Sequence, residues 1–212
     1  MCKLLNFKRI YDLSPSIGDP MPYYPGDKAF EAFPICTIER SGCNMHELQL
    51  GTHTGSHVDA PFHFLKDGKT VDQIPLYRFI EMVQVLEVKK SRISAEDLSL
   101  LEEEMRGVLF KTKNSEYMSL ESFYKDYTYL TLEAAEQLIE RKIRLIGIDY
   151  VSVEEFGTPS FRVHKRLLEA DVILFEGLNL KDVPPGRYLF IGFPLRLRGM
   201  DGSPVRAVLI EF

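Results

Sequence analysis

The chain has 212 residues, 45% of them hydrophobic, and a formal net charge of −5 at pH 7. That length and apolar share can bury a full core and predict one domain spanning 1–212. The acidic balance offers no basic face to nucleic acid or an anionic membrane, and no stretch approaches the roughly 18 apolar residues that span a bilayer.

Met1 to Ile10 lacks a continuous apolar core and a small-residue cleavage site, so it is not read as a signal peptide. Cys2, Cys36 and Cys43 are odd in number and form no Cys-x-x-Cys pair. Reduced thiols and a cytoplasmic location are expected, rather than a disulfide or a thiolate zinc site. Apolar runs at residues 83–88, 108–110, 145–148, 172–175, 188–191 and 207–210 predict core strands. Residues 94–105 predict a helix: Ser94 and Asp97 make a capping-box-like start, Leu98, Leu101 and Met105 form a stripe, and Gly107 follows. Glu102, Glu103 and Glu104 read as its solvated face. Residues 131–142 predict another, with Ala135, Leu138 and Ile139 inward. Pro159-Ser160 opens a third, with Ser160 as N-cap and Leu167 and Leu168 apolar. Strands interspersed with a few helices indicate an α/β or α+β fold. Repeats, low-complexity tracts and interdomain linkers are absent.

Residues 53–63 read His-Thr-Gly-Ser-His-Val-Asp-Ala-Pro-Phe-His, which gathers His53, His57, Asp59 and His63, including three of the chain's five histidines. A lone histidine is ordinarily a packed or solvated residue; clustering is what points to metal. Imidazoles with a carboxylate suit zinc, manganese or iron. On a straight strand His53 and His57 would stand roughly 13 Å apart, at about 3.3 Å per residue, whereas metal–nitrogen bonds are about 2.0–2.1 Å. The chain must bend near Thr54-Gly55-Ser56, where Gly55 bends at least steric cost. Gly51, Gly55 and Pro61 argue against a helix. A kinked strand or loop follows, with His57 and Asp59 on one face of the extended piece after it. Further on, His164 alone reads as an exposed helix residue. Glu176 ends an apolar strand, where a buried carboxylate needs a partner.

The run from Leu50 to Phe64 resembles the signature of the cyclase family of metal-dependent hydrolases, which includes bacterial kynurenine formamidases and isatin hydrolases. The resemblance extends to Tyr24-Pro25-Gly26-Asp27, to Gly147-Ile148-Asp149 with Ser152-Val153, to His164, Lys165, Leu167, Leu168, Glu176 and Leu178, and to residues 199–206, Gly-Met-Asp-Gly-Ser-Pro-Val-Arg. It implies that His53, His57 and Asp59 hold a first ion. Asp59 then bridges to a second ion, held also by His164 and Glu176, and His63 is the catalytic acid/base. Ser56 stands where threonine is more usual, keeping a hydroxyl. The implied fold is a compact β-barrel-like mixed sheet flanked by helices, in a homodimer or higher homo-oligomer. The implied cofactor is zinc, one or two ions, with manganese the alternative.

The resemblance further implies hydrolysis of a small-molecule amide, foremost N-formylkynurenine to kynurenine and formate. The alternatives are another cyclic amide, imide or lactone, as in isatin hydrolases, or a non-catalytic metal-binding protein. Retention of His63 argues against the last, because holding metal does not require it. Tyr24 occupies the place where formamidases often carry tryptophan, and Tyr23, Tyr24, Phe62 and Phe64 keep an aromatic surface for an aryl substrate. A Gly-x-Ser-x-Gly nucleophile elbow is absent, which disfavours a Ser-His-Asp route.

Overall fold

The computed structural model describes residues 7–212. The expectations for Cys2 and for most of the N-terminal segment lie outside the described residues. In chain order the strands are β1 (Arg9–Asp12), β2 (Glu31–Cys36), β3 (Met45–Gln49), β4 (His57–Asp59), β5 (Ile80–Glu87), β6 (Arg92–Ile93), β7 (Gly107–Lys111), β8 (Tyr129–Leu130), β9 (Leu145–Ile148), β10 (Ile173–Glu176), β11 (Gly186–Pro194) and β12 (Gly202–Glu211). The α-helices are α1 (Ile38–Ser41), α2 (Leu132–Glu140) and α3 (Arg162–Glu169). Each apolar run singled out in the sequence lies in or over one of the strands β5, β7, β9, β10, β11 and β12.

These strands close a mixed barrel. Its order is β12-β11-β5-β7-β9-β10-β4, and β4 pairs back onto β12. Strands β5, β7, β9 and β10 run parallel, while β4, β11 and β12 pair antiparallel with their neighbours. Closure depends on the long β12: Gly202–Pro204 pair with β4, and residues 208–211 pair with β1 along the same edge. Alternation along the strands separates two cores. Val83, Val85, Leu109, Leu145, Ile173 and Phe175 join one apolar cluster inside the barrel. Val108, Phe110, Ile146, Ile148 and Leu174 face outward and pack with Ala134, Ala135 and Leu138 of α2 and Val163 and Leu167 of α3. Burial on both faces explains why the parallel strands are continuously apolar in sequence.

Two helix expectations are corrected. Within residues 94–105 only Ala95–Leu100 is helical, as a 3₁₀ segment, although Ser94 and Asp97 do form the capping box. The Gln84 side chain on β5 accepts from the Glu102 N–H (2.9 Å) and donates to the Leu100 carbonyl (3.0 Å). Those backbone groups are therefore satisfied by the sheet rather than by a continuing helix. Glu103 and Glu104 are exposed as expected, in a turn rather than on a helix. Ser160 does not cap α3; Phe161 holds the N-cap position in left-handed backbone (φ 47°) without a side-chain cap.

The β2–β3 hairpin stands apart from the barrel as an exposed arm. Cys36 and Cys43, near its tip, are free thiols with sulfurs 3.4 Å apart. Among the described residues no helix is long and apolar enough to cross a membrane.

Candidate metal centre

The bend expected near Gly55 is present. Residues 52–56 form turns, Gly55 takes φ +68°, and β4 begins at His57. Gly177, just past β10, also has positive φ (+68°), and a Cβ there would lie 2.2 Å from the Gly55 carbonyl oxygen. Two glycines thus let the β4 turn and the end of β10 touch. The Ser56 hydroxyl donates to the Gly177 carbonyl (2.7 Å), which gives the retained hydroxyl a structural task.

Pairing of β4 with β10 sets Glu176 opposite His57 and Leu174 opposite Asp59. Val58 and Phe175 point into the barrel, so His57, Asp59 and Glu176 share its outer face, beneath α3. There His164, in the first turn of α3, meets Glu176 (Nε2 to Oε1, 3.1 Å). His53 reaches Asp59 through Nδ1 (2.9 Å) and Asp201 through Nε2 (3.0 Å). His57 donates from Nδ1 to the Gly55 carbonyl (2.9 Å), so Nε2 faces Asp59 and Glu176 at 3.6 and 3.4 Å. His63 ends a short 3₁₀ turn; its ring lies 4.0 Å from that of His53, and its Nδ1 is 3.3 Å from Asp201. The structure therefore brings all six sequence-singled residues to one place. The fifth histidine, His46, is exposed on β3.

Three groups emerge whose ligand atoms lie within 4.8 Å of one another: the partly exposed His53-His63-Asp201, and the triads His53-His57-Asp59 and Asp59-His164-Glu176. The two triads share Asp59. One oxygen of that buried carboxylate, Oδ2, has no hydrogen-bond partner, and His164 Nε2 stands 3.8 Å away. An unpaired buried carboxylate oxygen is costly, and a bridging cation would satisfy it.

The electrostatics point the same way. Burial opposes protonation of His53, but Asp59 and Asp201 outweigh it and push the imidazole up to about 10. Burial likewise opposes protonation of His164, and Glu176, Glu154 and Asp59 push it up to about 10. Asp59 is held ionised, well below the usual carboxylate range, because His53, His63 and His57 overcome its burial. Hydrogen bonds from His53 and His63 do the same for Asp201. The carboxylates demand positive charge at their centre, and a divalent cation would meet that demand.

A cavity of about 240 Å³ opens over the triads, walled by Tyr24, Phe64, Phe161 and Val151. Phe64 packs against both His164 (4.7 Å between centroids) and Phe161 (5.2 Å). Of the four aromatics singled out in the sequence, Tyr24 and Phe64 line the cavity; Phe62 is exposed outside it, and Tyr23 instead accepts from the Phe30 N–H. Asp201 was visible in a motif but carried no role until its contacts with two histidines placed it here. Glu154 and Phe161 gave no signal, because their partners come from other elements.

The family model described as putative cyclase matches residues 11–155. The chain is 34% identical over 209 residues to the kynurenine formamidase of Sphingopyxis alaskensis, an alignment that covers 96% of this chain and 98% of the relative. Among solved structures it is similar to a potential metal-dependent hydrolase with cyclase activity, at 33% identity and a TM-score of 0.83, covering 96% of this chain and 98% of the other. It also resembles isatin hydrolase A of Labrenzia aggregata, at 26% identity and a TM-score of 0.82, covering 96% and 93%.

Proposed function

The chain belongs to the putative cyclase family, and from that membership we propose that it is a metal-dependent amide hydrolase acting on N-formylkynurenine to give kynurenine and formate. The observation that carries this reading is the pair of ligand triads sharing Asp59, with its unpaired Oδ2, at the floor of an aromatic-walled cavity. Similarity to a kynurenine formamidase over nearly the whole chain supports the substrate.

His53, His57 and Asp59 would hold one ion, and Asp59, His164 and Glu176 a second. Zinc is the ion we propose, with manganese the alternative, since imidazole and carboxylate donors accept both. Bound there, the ion supplies Lewis acidity, polarising the amide carbonyl and lowering the pKa of water. Tyr24, Phe64 and Phe161 clasp the aryl ring and exclude bulk water. Asp201 orients His63 through Nδ1, which leaves Nε2 to accept a proton from the attacking water and return it to the departing nitrogen. The structural likeness to an isatin hydrolase favours a second reading, hydrolysis of a cyclic amide, imide or lactone in the same cavity.

The test is hydrolysis of N-formylkynurenine by chelator-stripped protein with zinc, manganese or iron restored in turn. Metal-dependent turnover with kcat/KM above about 10⁴ M⁻¹s⁻¹ is expected. No turnover with any metal would reject this substrate, and turnover of isatin instead would establish the second reading.

We also propose a single domain over 1–212, a cytoplasmic location and a homo-oligomer, most simply a homodimer. The exposed arm supports self-association, since it presents Phe33, Ile35, Met45 and Leu48 at 48–58% exposure.

A further inference from the structure

Glu154 is a carboxylate only 4% exposed, in the loop between β9 and α3, and it is not one of the triad ligands. It accepts from three N–H groups of α3. The backbone N–H groups of Val163 and His164 each reach Oε2 at 3.1 Å, and His164 Nδ1 lies 3.0 Å from the same oxygen. The helix has no cap of its own, since Phe161 at the N-cap position is left-handed and contributes no side-chain hydrogen bond. One carboxylate thus supplies the missing cap and also grips the ring of the histidine that the helix carries.

The loop that presents Glu154 is itself clamped. The Leu130 N–H donates to the Val153 carbonyl (2.9 Å), and the Tyr127 hydroxyl donates to the Glu154 carbonyl (2.5 Å). Next to Glu154, the Val153 N–H donates to Glu176 Oε1 (2.6 Å). Adjacent residues of one rigid loop therefore hold both His164 and Glu176, the two ligands that complete the triad with Asp59.

We propose that Glu154 is a positioning residue for the second metal subsite: by accepting His164 Nδ1–H it aims Nε2 at Asp59 and Glu176, and by capping α3 it ties that aim to the helix position. This rests on the reading that Asp59, His164 and Glu176 hold an ion. A carboxylate behind a ligating histidine orients the ring and raises its basicity, and loss of such a partner typically costs 10–100-fold in metal affinity.

The test is a stepwise zinc titration by calorimetry of chelator-stripped wild type, Glu154→Gln and Glu154→Ala, with the melting temperature of each stripped protein measured alongside. The Gln amide oxygen can still cap the helix but brings no charge to the ring. Glu154→Gln is therefore expected to melt near wild type while one of two zinc equivalents weakens about tenfold. Glu154→Ala should melt lower and weaken the same equivalent by up to about 100-fold, leaving the other unchanged. Wild-type affinity for both equivalents in Glu154→Gln, with only a melting defect in Glu154→Ala, would make the residue a helix cap and overturn the proposal. A wild type that binds fewer than two equivalents would defeat the two-ion reading itself, a failure visible without any variant.

Discussion

At the level of single residues, side chains a few ångströms apart carry separable tasks. His63 groups with His53 and Asp201 at the cavity side and lies outside the two triads that share Asp59, where the ions are proposed to sit. His63→Ala is therefore expected to keep its metal while turnover falls about 10²–10⁴-fold. Asp59→Ala should lose both, because both triads use that carboxylate. Metal analysis beside a rate assay checks this, and a fully active His63→Ala would remove the acid/base role. Asp149 shows a different balance. Burial pushes its carboxyl up to about 6, although Thr112 and Ser115 each donate a backbone N–H and a hydroxyl to it. Its folded value lies above the unfolded value near 3.8, so the folded state holds the proton more tightly. Stability from this group is thus present below about pH 3.8 and lost as pH rises through about 6. A carbon-13 titration of the Asp149 carboxyl should have its midpoint near 6. A midpoint below that of a free aspartate would mean that the four donors outweigh burial.

At the level of elements, the site is a matter of how β4 and β10 meet. Their register sets His57 beside Glu176, and the approach of Gly55 to Gly177 permits that register. A methyl at 177 would lie 2.2 Å from the Gly55 carbonyl oxygen, in backbone that disfavours any side chain. Gly177→Ala is expected to cost about 3 kcal/mol or more in urea unfolding, and to weaken metal binding by displacing the β4 turn. Wild-type stability in that variant would show that the two turns can separate freely. The same logic explains the corrected helices. Residues 94–105 carry helix-like spacing, but Gln84 takes the hydrogen bonds that a longer helix would have made. Ser160 looks like a cap in sequence, but Glu154, earlier in the same β9–α3 loop, folds back and does the capping.

At the level of the whole molecule, the barrel wall is the scaffold and the centre lies on its outer face. Seven strands close through the β4–β12 pairing, and β4 is also the strand that carries His57 and Asp59. Metal binding should therefore be coupled to the stability of the closed barrel. Zinc at about 1,000 times its dissociation constant would stabilise the fold by about 4 kcal/mol. Chelation should then lower the melting temperature by about 10 °C for a chain of this length. An unchanged melting temperature on adding saturating zinc to stripped protein would count against this coupling.

By itself the sequence determined the strands that are buried on both faces, because their continuous apolar runs are local facts. It determined the bend at Gly55 as well, since ligands four residues apart cannot converge along a straight strand. The cluster of His53, His57, Asp59 and His63 was legible for the same reason: short spacing leaves little for the fold to decide. Only the tertiary structure decided that the barrel closes through β4 and β12, and that His164 and Glu176 arrive beside Asp59. It alone gave Glu154 and Asp201 their places behind the histidines. Most of those contacts join residues that are distant in sequence, and the Glu154–His164 contact depends on a loop folding back on its own helix; no local periodicity records which groups will meet. Hydrogen-bonding capacity is local, but its satisfaction is not, and so the residues that support a site escape a reading that finds the site itself.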